Sequence, residues 1–179
     1  MNIDLINASL TEKVYLILEP RALLRKTANQ LIAQIALKSD LFVLDGGNCF
    51  DAYGIIHGLS RYVVVDIQCY LERIHLARSF TCYQTLSLCK QYEHISCPMF
   101  VLNLSSNFYD ESVCYAEREH LFESCLEYLL HLSERVPLVI LERLDYVKNS
   151  MHWISRLKET AQHISCFEHI APMQPLKLF

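Results

Sequence analysis

The chain has 179 residues, is 52% apolar and carries a net charge of −4, which excludes a disordered tail-like protein and one that binds polyanions through bulk positive charge. No uninterrupted apolar run approaches the roughly 18 to 20 residues of a membrane span. The start, MNIDLINASLTEK, has no basic lead and no long apolar stretch, so the expectation is a protein of the cytoplasm without a signal peptide.

The chain reads as one domain over 1–179, with 1–12 as a lead-in and 171–179 as a terminal edge segment. Residues 14–18 (VYLIL) form the first buried strand. Pro20 follows, and apolar residues at helical spacing, Leu24, Ala28, Leu31 and Ile35, predict a helix over 22–38. The second strand, 41–44, ends at Asp45. Gly46 and Gly47 are expected to give the sharp turn after it, and Asp51 to cap a helix reaching about residue 61. Gly54 and Gly58 share a face of that helix, where another element can come close. Residues 63–65 read equally as strand or as the lead into a helix, and Asp66 starts a short turn.

A third strand is expected over 74–80, then a helix capped by Thr81. Residues 98–104 (PMFVLNL) are expected to form the fourth strand, nearly all apolar as strands covered on both faces are. A polar loop, SSNFYDES, leads to a long helix over 113–135. Its buried stripe is Leu121, Cys125, Leu129 and Leu132; Glu119, Glu123, Glu127, His131 and Glu134 form its wet side. Residues 137–141 are the fifth strand. A loop over 145–149, a helix capped by Ser150 and edge segments over 164–170 and 176–179 complete the chain. Alternation of this kind implies an α/β fold: a mostly parallel sheet with helices on both faces.

Eight cysteines lack any CxxC pair, and the expectation is buried, reduced thiols and no zinc site. There is no GxGxxG, no GxSxG elbow and no cysteine-protease signature.

Several fragments resemble the RecA-type ATPase core, in particular the archaeal and eukaryotic recombinases and their paralogues. They are LDGGNCF over 44–50, LARSF over 76–80, FVLN over 100–103, and the helix and strand ending in VPLVIL over 136–141. The resemblance implies a three-layer RecA-like, P-loop NTPase-type sheet. It also points to departures. The stretch matching the phosphate loop is PRALLRKT, 20–27. Lys26 and Thr27 remain, but both glycines of GxxxxGK[ST] are gone, and with them the run of backbone N–H groups that surrounds phosphate. Asn103 stands where the resemblance implies a magnesium-holding aspartate, and Gly47 where it implies the water-activating glutamate.

The resemblance therefore implies a non-catalytic subunit with no bound cofactor, acting through protein contacts in DNA repair or recombination. Its partner would be a recombinase-like or other protein subunit, or further copies of itself. The alternative is a divergent Mg-ATP-binding ATPase in which Lys26, Thr27 and Asp45 hold phosphate and metal and a partner completes the site. Arg143, Lys148, Arg156 and Lys158 form a weak candidate DNA patch. Tyr53, Tyr62, Tyr70, Tyr83, Tyr92 and Trp153 are candidate interface anchors, each weighed against ordinary core packing.

Overall fold

The computed structural model describes residues 14–63, 66–144 and 151–166. Its elements are β1 (Val14–Glu19), α1 (Arg21–Ala36), β2 (Leu41–Asp45), α2 (Ala52–Leu59), α3 (Ile67–Leu71), β3 (Ile74–Arg78), α4 (Cys82–Gln91) and β4 (Met99–Leu102), then a 3-10 turn (Leu104–Phe108), α5 (Tyr115–Ser133), β5 (Leu138–Arg143), α6 (Met151–Thr160) and β6 (His163–Cys166). The six strands form one sheet in the order β3-β2-β4-β5-β1-β6. Every pairing is parallel, with Leu16 opposite Ile140 and Asp45 opposite Leu102.

The apolar runs become central strands because both of their faces are covered. In β4 and β5 successive side chains divide between two cores. Phe100, Leu102, Val139 and Leu141 pack with α1 and α2, together with Ile17 and Val43. Val101 and Ile140 pack with α4, α5 and α6, together with Leu16, Leu18 and Leu44. The topology requires this split. From β1 through β2 to β3 the chain steps toward one edge of the sheet, and from β3 to β6 it steps back. Crossovers of one hand then place the first helices on one face and the later helices on the other.

Local signals account for the helix ends. Asp51 accepts from the Gly54 amide at 3.1 Å, and Thr81 from the Gln84 amide at 3.2 Å, each satisfying an otherwise orphaned N–H. The paired glycines of α2 do admit a neighbour. A Cβ on Gly54 would lie 1.9 Å from Asn29 Nδ2 of α1, and one on Gly58 would lie 3.1 Å from the Ala33 Cβ.

Gly46 and Gly47 do make the expected bend after β2, with the left-handed φ, 51°, falling on Asn48. Three expectations need correction. The loop expected after β4 contains a 3-10 turn whose Leu104, Ser105, Asn107 and Phe108 are buried. Trp153, a candidate interface anchor, is a core residue against Phe122 (ring centroids 4.7 Å apart) and Phe108 (5.8 Å). All eight cysteines are free as expected, but only Cys82, Cys89 and Cys125 are buried; Cys69, Cys114 and Cys166 are exposed. The expected loop over 145–149, the Ser150 cap and the tail beyond 166 lie outside the described residues, as do positions 64 and 65.

Candidate functional site

Open parallel sheets bind ligands at the carboxyl ends of their strands, where neighbouring strands send their connections to opposite faces. Here three such places exist by topology, between β3 and β2, between β2 and β4 and between β5 and β1. The candidate nucleotide residues all come from this edge of the molecule.

The connection from β1 to α1 is a single residue, Pro20. Its carbonyl accepts from the Leu23 and Leu24 amides at 2.9 and 3.1 Å. Those N–H groups are thus used inside a helix that starts at once, and Pro20 has no N–H to offer. A phosphate-cradling loop needs several successive free amides, and no loop is present to supply them. Lys26 is exposed on α1. Thr27 is buried nearly two turns into the helix, where its hydroxyl favours the charged form of the Glu19 carboxylate. Lys26 and Thr27 therefore do not converge on a shared ligand position.

Asp45, the third candidate, is fully buried and committed to its own turn. Its carboxylate accepts from the Cys49 amide at 2.8 Å, the Phe50 amide at 3.0 Å and Arg78 Nε at 3.2 Å. Arg78 Nη2 donates to the Phe50 carbonyl at 3.3 Å, so the pair closes the acidic turn against the end of β3.

Between β2 and β4 the crevice is filled by Asn103. Its backbone is left-handed (φ 49°, ψ 58°). Its Oδ1 accepts from the Arg143 amide at 2.9 Å, and its Nδ2 donates to Cys49 Sγ at 2.9 Å. Next to it Asn107 Nδ2 reaches Ser79 Oγ at 2.9 Å and Thr85 Oγ1 at 3.0 Å. Ser79, Thr85 and Asn107 are all buried. This network joins the 3-10 turn to the ends of β3 and α4, and it satisfies groups that would otherwise be costly to bury.

Two buried carboxylates at the β1–β5 ends were not evident from sequence. Glu142 is 0% exposed and accepts from Ser105 N at 3.0 Å and Ser105 Oγ at 2.7 Å. Burial pushes its pKa up to about 7, against the lowering pull of those hydrogen bonds and of Arg143. Glu19 is also pushed up by burial, less the pull of Thr27, and its Oε2 has no partner. The two side chains point to opposite faces, because Glu19 is opposite Arg143 and Glu142 opposite Leu18 in register. They are therefore not an acid–base dyad.

The candidate DNA cations are dispersed. Arg143 ends β5. Arg156 is held by Glu123, at 2.6 and 2.8 Å, and by Glu159. Its charge is thereby paired with carboxylates, Glu123 first, which hold the guanidinium all the more firmly protonated. Lys158 is exposed in the last turn of α6, and Lys148 lies outside the described residues.

Exposed apolar side chains gather elsewhere, at the β3 edge of the sheet. Leu76 is 40% exposed and Phe80 70%. Beside them a groove of about 560 Å³ is lined by Phe42, Ile74, Leu76, Tyr92, Ile95 and Cys97, with His75 at its side. Tyr92 packs against Phe42 with tilted rings, 4.1 Å between centroids, so this candidate anchor forms the groove wall. Of the other candidates, Tyr53, Tyr62 and Tyr83 are exposed, while Tyr70 is half-buried under Arg73, 5.1 Å from its ring centre.

Among the described residues, no helix is long and apolar enough to cross a membrane, and no three His, Cys, Asp or Glu side chains are grouped to hold a metal ion. Comparison with known proteins finds no family model that matches the chain and no curated protein that matches it.

Proposed function

We propose that this chain is a non-catalytic RecA-like subunit that works by docking onto another protein, in DNA repair or recombination. The observation that carries the reading is the one-residue β1–α1 connection at Pro20. A partner subunit can lend an arginine or a carboxylate to an incomplete site, but it cannot insert a phosphate loop into this chain. The alternative of an ATPase completed by a partner is weakened for that reason. Three facts support RecA-like ancestry. β1 sits inside a parallel sheet, the acidic turn follows β2, and the Lys26, Asp45 and Asn103 positions all fall toward the carboxyl edge.

The working surface is the β3 edge. β3 pairs only with β2 among the described strands, so its outer backbone groups are open to a further strand. The adjoining apolar groove suits large side chains of an extended segment. Backbone pairing would supply affinity and the groove selectivity. The matching partner is therefore a protein with an exposed, extended apolar segment, of the recombinase type that the sequence resemblance implies.

Cross-linking mass spectrometry of the complex isolated from the native cell tests this. A recombinase-type or other DNA-processing protein cross-linked beside β3, at Arg73 or Lys90, is expected. Recovery only of proteins unconnected with DNA, or cross-links confined to α5 and α6, would overturn it.

A further inference from the structure

Among the described residues the buried cysteines are Cys82, Cys89 and Cys125, and all of them lie where α4 packs on α5. Cys82 and Cys89 share the buried stripe of α4, with Thr85 between them. Cys125 belongs to the buried stripe of α5.

The register of the two helices brings Cys89 beside Cys125. Each helix leaves the carboxyl end of a strand in a parallel sheet, so both run in the same direction. Tyr83 Oη donates to Glu117 Oε1 at 2.6 Å, which aligns their first turns. From Tyr83 to Cys89 the axis of α4 advances about 9 Å, and from Glu117 to Cys125 that of α5 advances about 12 Å, at the helical rise per residue. The two thiols therefore stand at nearly one level. Cys125 responds to this neighbour: Cys89 first, then burial, hold its proton more firmly than usual, and Cys82 adds a smaller push.

We propose that Cys89 and Cys125 are a disulfide-forming pair, oxidised by a small-molecule disulfide of the glutathione class while the α4–α5 interface is open. Two exchanges make the bond. One cysteine, as thiolate, attacks glutathione disulfide; a mixed disulfide forms and one glutathione leaves. The second cysteine then displaces the attached glutathione and closes the Cys89–Cys125 bond. Two protein thiols are oxidised, one glutathione disulfide is reduced, and the two protons end on the two glutathione thiols. Burial sets the moment. Cys89 is 2% exposed and Cys125 0%, and a shielded, protonated thiol is a poor nucleophile. The reaction therefore belongs to the folding chain, before the two helices close. Once formed, the bond fastens α4 to α5 and restricts the unfolded chain by a loop of about 37 residues.

Refolding the full chain from urea in glutathione buffers of increasing oxidation tests the pair, with free thiols alkylated and peptides mapped without reduction. A Cys89–Cys125 linkage should be the first disulfide within the chain. The linked protein should melt about 10 °C higher than the same protein after dithiothreitol, and Cys125→Ala should show no such difference. Free thiols at both positions in the most oxidising buffer would overturn the proposal. So would a first linkage through Cys82, Cys114 or any other cysteine. Should the chain not refold, the same peptide map after oxidation of native protein held just below its melting temperature decides: linkage of Cys89 to Cys125 supports the pair, and two free thiols refute it.

Discussion

Gly47 lies so close to Asn103 that a Cβ at position 47 would sit 2.5 Å from the Asn103 Cβ and 2.7 Å from its Nδ2. The same asparagine restricts Gly46, whose Cβ would be 2.8 Å from the Asn103 carbonyl oxygen. Both glycines are thus required by the side chain and backbone that fill the crevice. Gly47→Ala should cost about 2–3 kcal/mol of stability through steric overlap, measured by urea denaturation. Asn103→Gly tolerates the left-handed backbone and removes the obstruction. The double variant should therefore be less destabilised than the sum of the singles, a coupling that a double-mutant cycle reads directly.

The two helix glycines should behave differently from each other. Gly54→Ala drives a methyl group into Asn29 Nδ2 and Asp51 Oδ2, at 1.9 and 2.6 Å, and should destabilise strongly. Gly58→Ala meets only the Ala33 Cβ at 3.1 Å. The helix-propensity gain of about 1 kcal/mol should offset most of that crowding. Thermal melts of the two variants are expected to differ by several degrees, Gly58→Ala being the more stable.

At the β3 edge, Leu76→Lys places a charge where an incoming strand would pair, a device that natural edge strands use to block pairing. Leu76 is partly exposed, so the stability loss should stay below about 1 kcal/mol. Partner co-purification should be lost while the melting temperature barely moves. Retained binding in this variant would move the interface away from β3.

Global stability should decline from about pH 5 toward pH 8. Glu142 and Glu19 both have raised folded pKa values. Their stabilising contribution is fully present below the unfolded value and is lost as pH rises through the folded one. For Glu142, the move from 4.5 to about 7 corresponds to on the order of 3 kcal/mol. Asp51, held low chiefly by the Gly54 amide, and Glu123, held low chiefly by Arg156, act in the opposite sense and are lost on acidification below their unfolded values. Denaturation curves at a series of pH values should therefore show a maximum in the mildly acid range.

The parts of the fold legible in sequence are those set by local pattern. Asp51 and Thr81 announce helix starts, the 3.6-residue stripe of α5 marks its buried side, and near-continuous apolar runs mark the covered strands. What escaped depends on residues distant in sequence. Ser105 and Asn107 look like solvated loop residues because their partners, Glu142, Ser79 and Thr85, come from other elements. Glu19 and Glu142 look like ordinary polar strand ends, and only the folded edge shows that they are enclosed. Trp153 gives the same apolar signal as an interface anchor and as a core residue; the packing of α6 decides between them.

Among the described residues, the carboxyl edge is occupied by the chain's own side chains, and the β1–α1 connection has no loop to receive phosphate. Isothermal titration of the full chain with Mg-ATP tests it most directly. No saturable heat is expected up to millimolar nucleotide, and the same null result for Lys26→Ala. Saturable binding in the micromolar range that Lys26→Ala abolishes would contradict it.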